Sequence, residues 1–184
     1  RLQSLLGQDA GRVRFAMNAG MYDTARAPLG LYVQDAAVVR PLRTEAGSGN
    51  FYLKPNGVFS AGADGTLRIE TTDAYAARGG RDRWATQSGP MLLVGGAVHP
   101  SFQPDGASRN IRNGVGVTGG SAAWFVISED EVSFGKFARF FRDALDCRDA
   151  LFLDGSVSSL WSPRQGRRDP RTDLGPMVVV LDKQ

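Results

Sequence analysis

The sequence predicts an α+β fold in a single domain: a mixed or mostly antiparallel sheet of many short strands, with one main amphipathic helix at about 134–146. Three observations predict it. The 184 residues are 42% hydrophobic, enough to bury one core and too few for two comfortable ones, so the whole of 1–184 reads as one domain. The 23 glycines and 9 prolines interrupt the chain so often that short strands fit between them better than long helices do. A single stretch, "SFGKFARFFRDALD", breaks that pattern with a helical one.

Taken in order, "VRFAMNAGM", "LGLYVQDAAVV", "GNFYLKPNGVFSA" and "GTLRIETT" carry β-branched or aromatic residues between Gly, Pro or Asn punctuation and read as strands. "GPMLLVGGAV", "GVGVTGGSAAWFVIS", "ALFLD" and "GPMVVVLD" read the same way. Asp64-Gly65, Gly95-Gly96 and Gly119-Gly120 are two-residue turn signals between apolar runs and predict hairpins. In the helical stretch, Phe134, Phe137, Ala138, Phe141 and Leu145 line one stripe at three- and four-residue spacing. With strands at 122–127 and 150–153 on either side, this helix completes a strand-helix-strand unit whose last strand ends at Asp154. A second helix is expected near 73–80 or at the amino end.

Charge excludes some partners. The 22 Lys and Arg are interspersed with 19 Asp and Glu for a net +3, with no polycationic arm, so nucleic acid is not an expected partner. Only three of the basic residues are lysine, Lys54, Lys136 and Lys183; the rest are arginine, the planar bidentate partner of phosphate and carboxylate. The lone cysteine, Cys147, cannot form an internal disulfide and reads as a small core filler. No stretch approaches the roughly 20 apolar residues of a membrane span. His99 is the only histidine, so a serine-histidine-aspartate triad would have to use it.

Several polar residues fall at the mouths of predicted strands, where a rigid sheet presents chemistry: Asn18, Asn56, Ser88, Asn113 and Asp154. Asp154 sits in "LFLDGSVSSLW", where an apolar run stops at a carboxylate followed by glycine and small hydroxyl residues. A turn cap and an active-site carboxylate both fit that pattern. "SGPMLLV" at 88–94 and "LGPMVVV" at 174–180 echo each other, which ordinary Gly-Pro turn chemistry explains as well as duplication does.

Five segments, "MNAGMY", "LKPNGVF", "ATQSGPMLL", "IRNGVGV" and "LFLDGSVSSLW", in this order over about residues 13–181, make the chain resemble the phosphodiester glycosidase family. This is a bacterial domain family related to the catalytic domain of the animal uncovering enzyme, which removes N-acetylglucosamine from a phosphodiester. Asn18, Ser88, Arg112, Asp154, Ser158 and Ser159 fall on matching positions; Ala19, Asn113 and Ser156-Val157 depart from the usual motifs and suggest a bacterial branch. The resemblance implies a hydrolase that frees a sugar, N-acetylglucosamine-like, from a sugar-1-phosphodiester, in a periplasmic or secreted setting. Under that reading Asp154 stabilises or attacks the anomeric carbon, and Arg112 grips the phosphate. Asn18 completes the catalytic set. Ser88, Gly89, Asn56, Arg109, Asn113, Gly155, Ser158 and Ser159 form the substrate-binding surroundings.

The phosphate is a good leaving group, so arginine charge can stand in for a strong general acid. Two rivals remain: a non-catalytic module that binds exopolysaccharide or cell-surface glycan in the same cleft, and a phosphodiesterase cleaving the P–O bond. No His/Cys cluster suggests zinc. Asp154, Asp23 and Asn18 offer hard oxygens that could hold magnesium or calcium, but three scattered residues make no EF-hand-like pattern, so no cofactor is expected to be required. "SPRQGRRDPRTD" at 162–173, with Arg164, Arg167, Arg168 and Arg171, reads as a solvated loop that could form a basic rim. Trp161 suits a sugar ring or plain packing.

Overall fold

A computed structural model describes residues 11–169 and 174–182. In chain order the strands are β1 (Val13–Asn18), β2 (Tyr32–Gln34), β3 (Ala37–Arg40), β4 (Gly57–Ala61), β5 (Leu67–Thr71), β6 (Trp84–Ser88) and β7 (Met91–Val94). They continue with β8 (Ala97–Val98), β9 (Asn113–Thr118), β10 (Ala122–Ile127), β11 (Asp149–Phe152), β12 (Leu160–Ser162), β13 (Arg167–Arg168) and β14 (Met177–Leu181). The helices are α1 (Thr72–Arg78) and α2 (Phe134–Arg139).

Backbone preference decides where the chain folds back. Gly95-Gly96 and Gly119-Gly120 have positive φ at both residues, as a tight hairpin turn requires, and join β7 to β8 and β9 to β10. Asp64-Gly65 joins β4 to β5, with Asp64 Oδ1 accepting from the Thr66 amide at 2.9 Å. A further turn of this kind uses no glycine: Asp35 and Ala36 have φ of 50° and 65°. It splits the expected strand at 29–39 into the β2–β3 hairpin. The expected strand from Gly49 begins instead with a 3₁₀ turn at Asn50–Tyr52, and only Gly57–Ala61 is strand.

The pairings among the described strands are antiparallel, in three sheets ordered β13-β12-β1-β14, β10-β9-β11-β7-β8 and β3-β2-β6-β4-β5. β10 and β11 both pair with β9 between them, so they run parallel and α2 is the crossover of a strand-helix-strand unit. Ser133 caps α2, its Oγ accepting from the Lys136 amide at 3.1 Å. The helix continues as a π-helical turn, Phe140–Ala144, and stops where Asp146 takes φ 51°. α1 is capped by Thr71 and ended by left-handed Gly79, at the place expected for a second helix; the amino-end alternative lies outside the described residues.

Two apolar layers sandwich the β10-β9-β11-β7-β8 sheet. On one face Phe137 and Ala138 of α2 and Phe141 of the π-helical turn that follows it bury Leu92, Leu93, Cys147, Ala150 and Phe152. On the other, Leu151, Leu153 and Val115 meet Met17 of β1 and Phe59 and Ile69 of the third sheet. α1 covers the outer side of that third sheet through Tyr75 against Val33, Val58 and Ala85. Strand alternation thus fixes β11 from both sides, and the backbone leaving its carboxyl end starts from a rigid frame. No helix among the described residues is long and apolar enough to cross a membrane.

Candidate active site

Four chain segments meet where β11 runs out. Phe152 donates its amide to Pro90 O (3.1 Å), Leu153 to Asn113 O (3.1 Å) and Asp154 to Ala19 O (3.3 Å). The carboxylate at the strand mouth is therefore framed by the end of β1, the β6–β7 turn and the start of β9. Asp154 also caps a short 3₁₀ turn, Gly155–Val157, its Oδ1 accepting from the Ser156 amide at 3.3 Å. The turn-cap role and a partly exposed carboxylate coexist in one residue. Gly155 is required by crowding: a Cβ there would lie 2.6 Å from the Phe152 ring.

Asn18 is the clasp. Its Nδ2 donates to Asp154 O at 2.7 Å, while its Oδ1 accepts from Asn113 Nδ2 and from the Ser159 amide, both at 2.9 Å. Asn113 Nδ2 also reaches Asn18 O at 3.1 Å, and Ser158 Oγ lies 3.4 Å from Asn113 Oδ1. Asn18 and Asn113 are both buried. An amide at each of these positions supplies a donor and an acceptor on one small planar group, which a turn residue alone would not need. Asn18 is thereby committed to positioning the Asp154 backbone.

Arg112 immediately precedes β9, the strand that pairs with β11, and has 2% of its surface exposed. Its Nε donates to Val132 O (2.8 Å) and its Nη2 to Ser108 O (3.0 Å). The guanidinium carbon lies 3.6 Å from the centre of the Phe134 ring and 5.6 Å from that of Phe152. Among the described residues no carboxylate comes within ion-pair distance of it. Burial pulls its pKa down to about 10. A buried cation without an anion is an uncommon and costly arrangement, and it leaves the positive charge uncompensated for a ligand.

Ser88, fully buried at the end of β6, and Ser159, beside the clasp, each hold a hydroxyl with no hydrogen-bond partner among the described residues. Ser88 leads into Gly89-Pro90, whose proline carbonyl receives Phe152, and Gly89 lies against Asn56 and Phe51. Asn56 is tied up: its Nδ2 donates to Phe51 O (2.9 Å) and its Oδ1 accepts from Thr72 Oγ1 (2.8 Å), part of a buried network with Gln87. Arg109 lies apart on an exposed loop, its Nη2 paired with Asp105 at 2.7 Å. Arg164 and Arg167 of the arginine-rich loop are engaged by Asp182 and by Asp169 and Glu129; Arg171 lies outside the described residues. Trp161 pairs across β12 with Ala16 and Arg168.

His99 is buried, its Nε2 against Lys54 O (2.9 Å) and its Nδ1 against the Ser101 amide (3.2 Å), so both ring nitrogens serve the backbone and no serine triad forms. Cys147 lies in the α2 core, where burial pushes its thiol pKa up. Asp23 accepts from the Ala25 and Ala27 amides of its own loop. Among the described residues no three His, Cys, Asp or Glu side chains converge as a metal site. A depression lined by Leu29, Arg40, Pro41, Leu42, Arg43 and Glu45 contains none of these groups. Phe134, whose place in the helical stripe marks it as core in the sequence, lies against the Arg112 guanidinium; the Ser133 cap fixes where its helix begins.

The fold and sequence are shared with known proteins. The family model described as Phosphodiester glycosidase matches residues 11–178. An uncharacterized Escherichia coli (strain K12) protein, YigE, is 38% identical over 151 residues, 82% of this chain and 59% of that protein. Among solved structures, the zebrafish N-acetylglucosamine-1-phosphodiester alpha-N-acetylglucosaminidase catalytic domain, auto-inhibited by its pro-peptide, superposes with a TM-score of 0.67 at 18% identity, covering 95% of this chain and 66% of that one. A hypothetical protein from Synechocystis gives 0.55 at 14% identity, covering 94% and 52%. The chain thus spans about half to two thirds of the length of these relatives.

Proposed function

The chain belongs to the phosphodiester glycosidase family, and on that premise we propose that it hydrolyses a sugar-1-phosphodiester, releasing an N-acetylglucosamine-like sugar. The observation that carries this reading is the buried guanidinium of Arg112, which has no carboxylate partner among the described residues and lies one strand away from the mouth that bears Asp154. A glycan phosphodiester supplies the anion that such a cation lacks. As the C1–O bond to phosphate breaks, negative charge grows on the departing phosphate and positive charge on the anomeric carbon. Arg112 stabilises the first and Asp154 the second, as electrostatic partner or as nucleophile. Water then supplies the hydroxyl of the free sugar and the proton that balances the phosphate monoester. The buried hydroxyls of Ser88 and Ser159 are donors for phosphate or sugar oxygens. Asn18 and Asn113 keep the Asp154 backbone in place. The setting that suits such a glycan substrate is periplasmic or secreted, and this charge-based chemistry uses no metal cofactor.

The reading is tested by giving the protein a methyl N-acetylglucosamine-1-phosphodiester and, separately, the methyl glycoside of the same sugar, and following released reducing sugar. Hydrolysis of the diester well above the glycoside is expected. Equal rates would make it an ordinary glycosidase, release of inorganic or sugar phosphate would make it a phosphodiesterase, and binding without release would make it a glycan-binding module.

A further inference from the structure

Arg112 is the outermost layer of a stack. Its guanidinium carbon lies 3.6 Å from the centre of the Phe134 ring. Phe134 stacks on Phe102 at 4.6 Å with the planes 8° apart, and Phe102 on His99 at 4.7 Å and 27°. A ring offers two faces, so near-parallel contacts of this kind run as a column: arginine, phenylalanine, phenylalanine, histidine. The foot of the column is fixed, because His99 Nε2–H donates to Lys54 O while Nδ1 accepts from the Ser101 amide. Its middle is pressed together, because a Cβ on Gly135 would collide with Gln103 O, so only glycine lets the first turn of α2 approach the loop that carries Phe102. Arg139 Nη1 donates to Pro104 O at 2.7 Å and ties the same helix to the same loop. Phe152, edge-on to Phe134 at 4.8 Å and 77°, closes the side toward β11.

We propose that Phe134, backed by Phe102 and His99, is a positioning residue that holds the Arg112 guanidinium charged and oriented for an incoming phosphate. The inference rests on the reading of Arg112 as the phosphate-binding group. Its physical basis is a substitution of partners. A buried arginine is ordinarily neutralised by a carboxylate, which would compete with a phosphate for the same N–H groups. An aromatic face attracts the cation through its quadrupole and uses none of those N–H groups. Val132 O and Ser108 O fix the guanidinium plane through Nε and Nη2, which leaves Nη1 with no hydrogen-bond partner among the described residues. The column thus supports charge and direction together while one edge of the fork stays available to an anion.

The test compares wild type, Phe134→Leu, Phe134→Tyr, Phe102→Leu and Arg112→Lys, measuring kcat and KM on the methyl N-acetylglucosamine-1-phosphodiester and the calorimetric Kd for methyl phosphate. Phe134→Leu fills similar space without a π face; Kd should rise by about 10- to 30-fold and kcat/KM fall by at least as much, because Arg112 serves both the bound and the departing phosphate. Phe134→Tyr, which keeps the face, should restore wild-type values. Phe102→Leu, which touches Arg112 only through Phe134, should weaken phosphate binding several-fold, and it carries the test if Phe134→Leu does not fold. Wild-type KM and Kd in Phe134→Leu or in a folded Phe102→Leu, alongside an impaired Arg112→Lys, would overturn the positioning role and leave the phosphate reading standing. An unimpaired Arg112→Lys would overturn both. A fall in kcat/KM in Phe134→Leu with a wild-type Kd for methyl phosphate would reduce Phe134 to a packing residue.

Discussion

Replacing Asn18 by aspartate keeps the side chain's shape, changes its donor into an acceptor and, when ionised, adds a buried negative charge. In the native clasp Nδ2 donates to Asp154 O at 2.7 Å, while Oδ1 receives Asn113 Nδ2 and the Ser159 amide. A carboxylate in Asn18→Asp keeps both received bonds and turns its second oxygen on a carbonyl oxygen. The lost bond, and the charge turned on a carbonyl oxygen that keeps only its long bond from the Val157 amide (3.4 Å), together cost about 3 kcal/mol at neutral pH. The new carboxyl can escape by holding a proton, which restores an O–H donor toward Asp154 O. Its folded-state pKa is therefore raised above the ordinary value of about 3.9. A raised carboxyl stabilises the fold fully below its unfolded pKa and loses that contribution as pH rises through the folded one. The deficit against wild type should be small at about pH 4 and widen by up to ~1.4 kcal/mol per pH unit, levelling off roughly two units higher. Urea unfolding of both proteins from pH 4 to 8 reads this directly, and turnover of the variant should fall over the same window as Asp154 loses its anchor. A deficit that is flat with pH, or that widens toward acid, would show that Asn18 does not hold the Asp154 carbonyl.

Asp154→Asn keeps an acceptor for the Ser156 amide, so its unfolding free energy should stay within about 1 kcal/mol of wild type while turnover is abolished; more than a tenth of the wild-type rate would remove Asp154 from the chemistry. The diester kcat/KM should fall as pH rises through about 10, where Arg112 loses its proton. Because burial disfavours the charged guanidinium, the same deprotonation should relieve the fold, so stability relative to Arg112→Met should rise over that window; parallel loss of both would contradict the assignment. Cys147→Ala removes a buried sulfur from the α2 core at a cost of about 1–2 kcal/mol and should leave turnover unchanged; loss of activity in the folded variant would give the thiol a part in the chemistry.

Asp-Gly and Gly-Gly turns and period-two apolar runs are local signals, so the hairpins at 64–65, 95–96 and 119–120 were legible in the sequence. The hairpin at Asp35-Ala36 was not, because its positive φ values fall on residues that usually avoid them. The helix stripe from Phe134 to Phe141 was legible, but its π-helical end was not: the residue spacing fits an α-helix equally well, and the wider turn is set by packing. Strand mouths marked Asn18, Asn113 and Asp154 as polar residues at one end of the sheet. That the two asparagines face each other and hold a backbone depends on strand pairing across 95 residues, which no local pattern encodes. Asn56 looked equivalent to Asn113 before glycine, yet it sits in a separate network with Thr72 and Gln87. Arg109 and Arg112, three residues apart, part ways because Asp105 pairs with one and nothing acidic among the described residues pairs with the other.

The central claim is that Arg112 serves the phosphate of a phosphodiester substrate, and Arg112→Lys tests it most directly. Lysine keeps the charge but loses the planar fork, together with the geometry that serves Val132 O and Ser108 O. Released sugar is followed with both proteins on the methyl N-acetylglucosamine-1-phosphodiester and on the matching methyl glycoside. The account predicts that the variant's kcat/KM falls on the diester by the equivalent of about 1.5–3 kcal/mol, the scale of a charge-assisted hydrogen bond, and changes little on the glycoside. An equal loss on both substrates, or none on either, would contradict it.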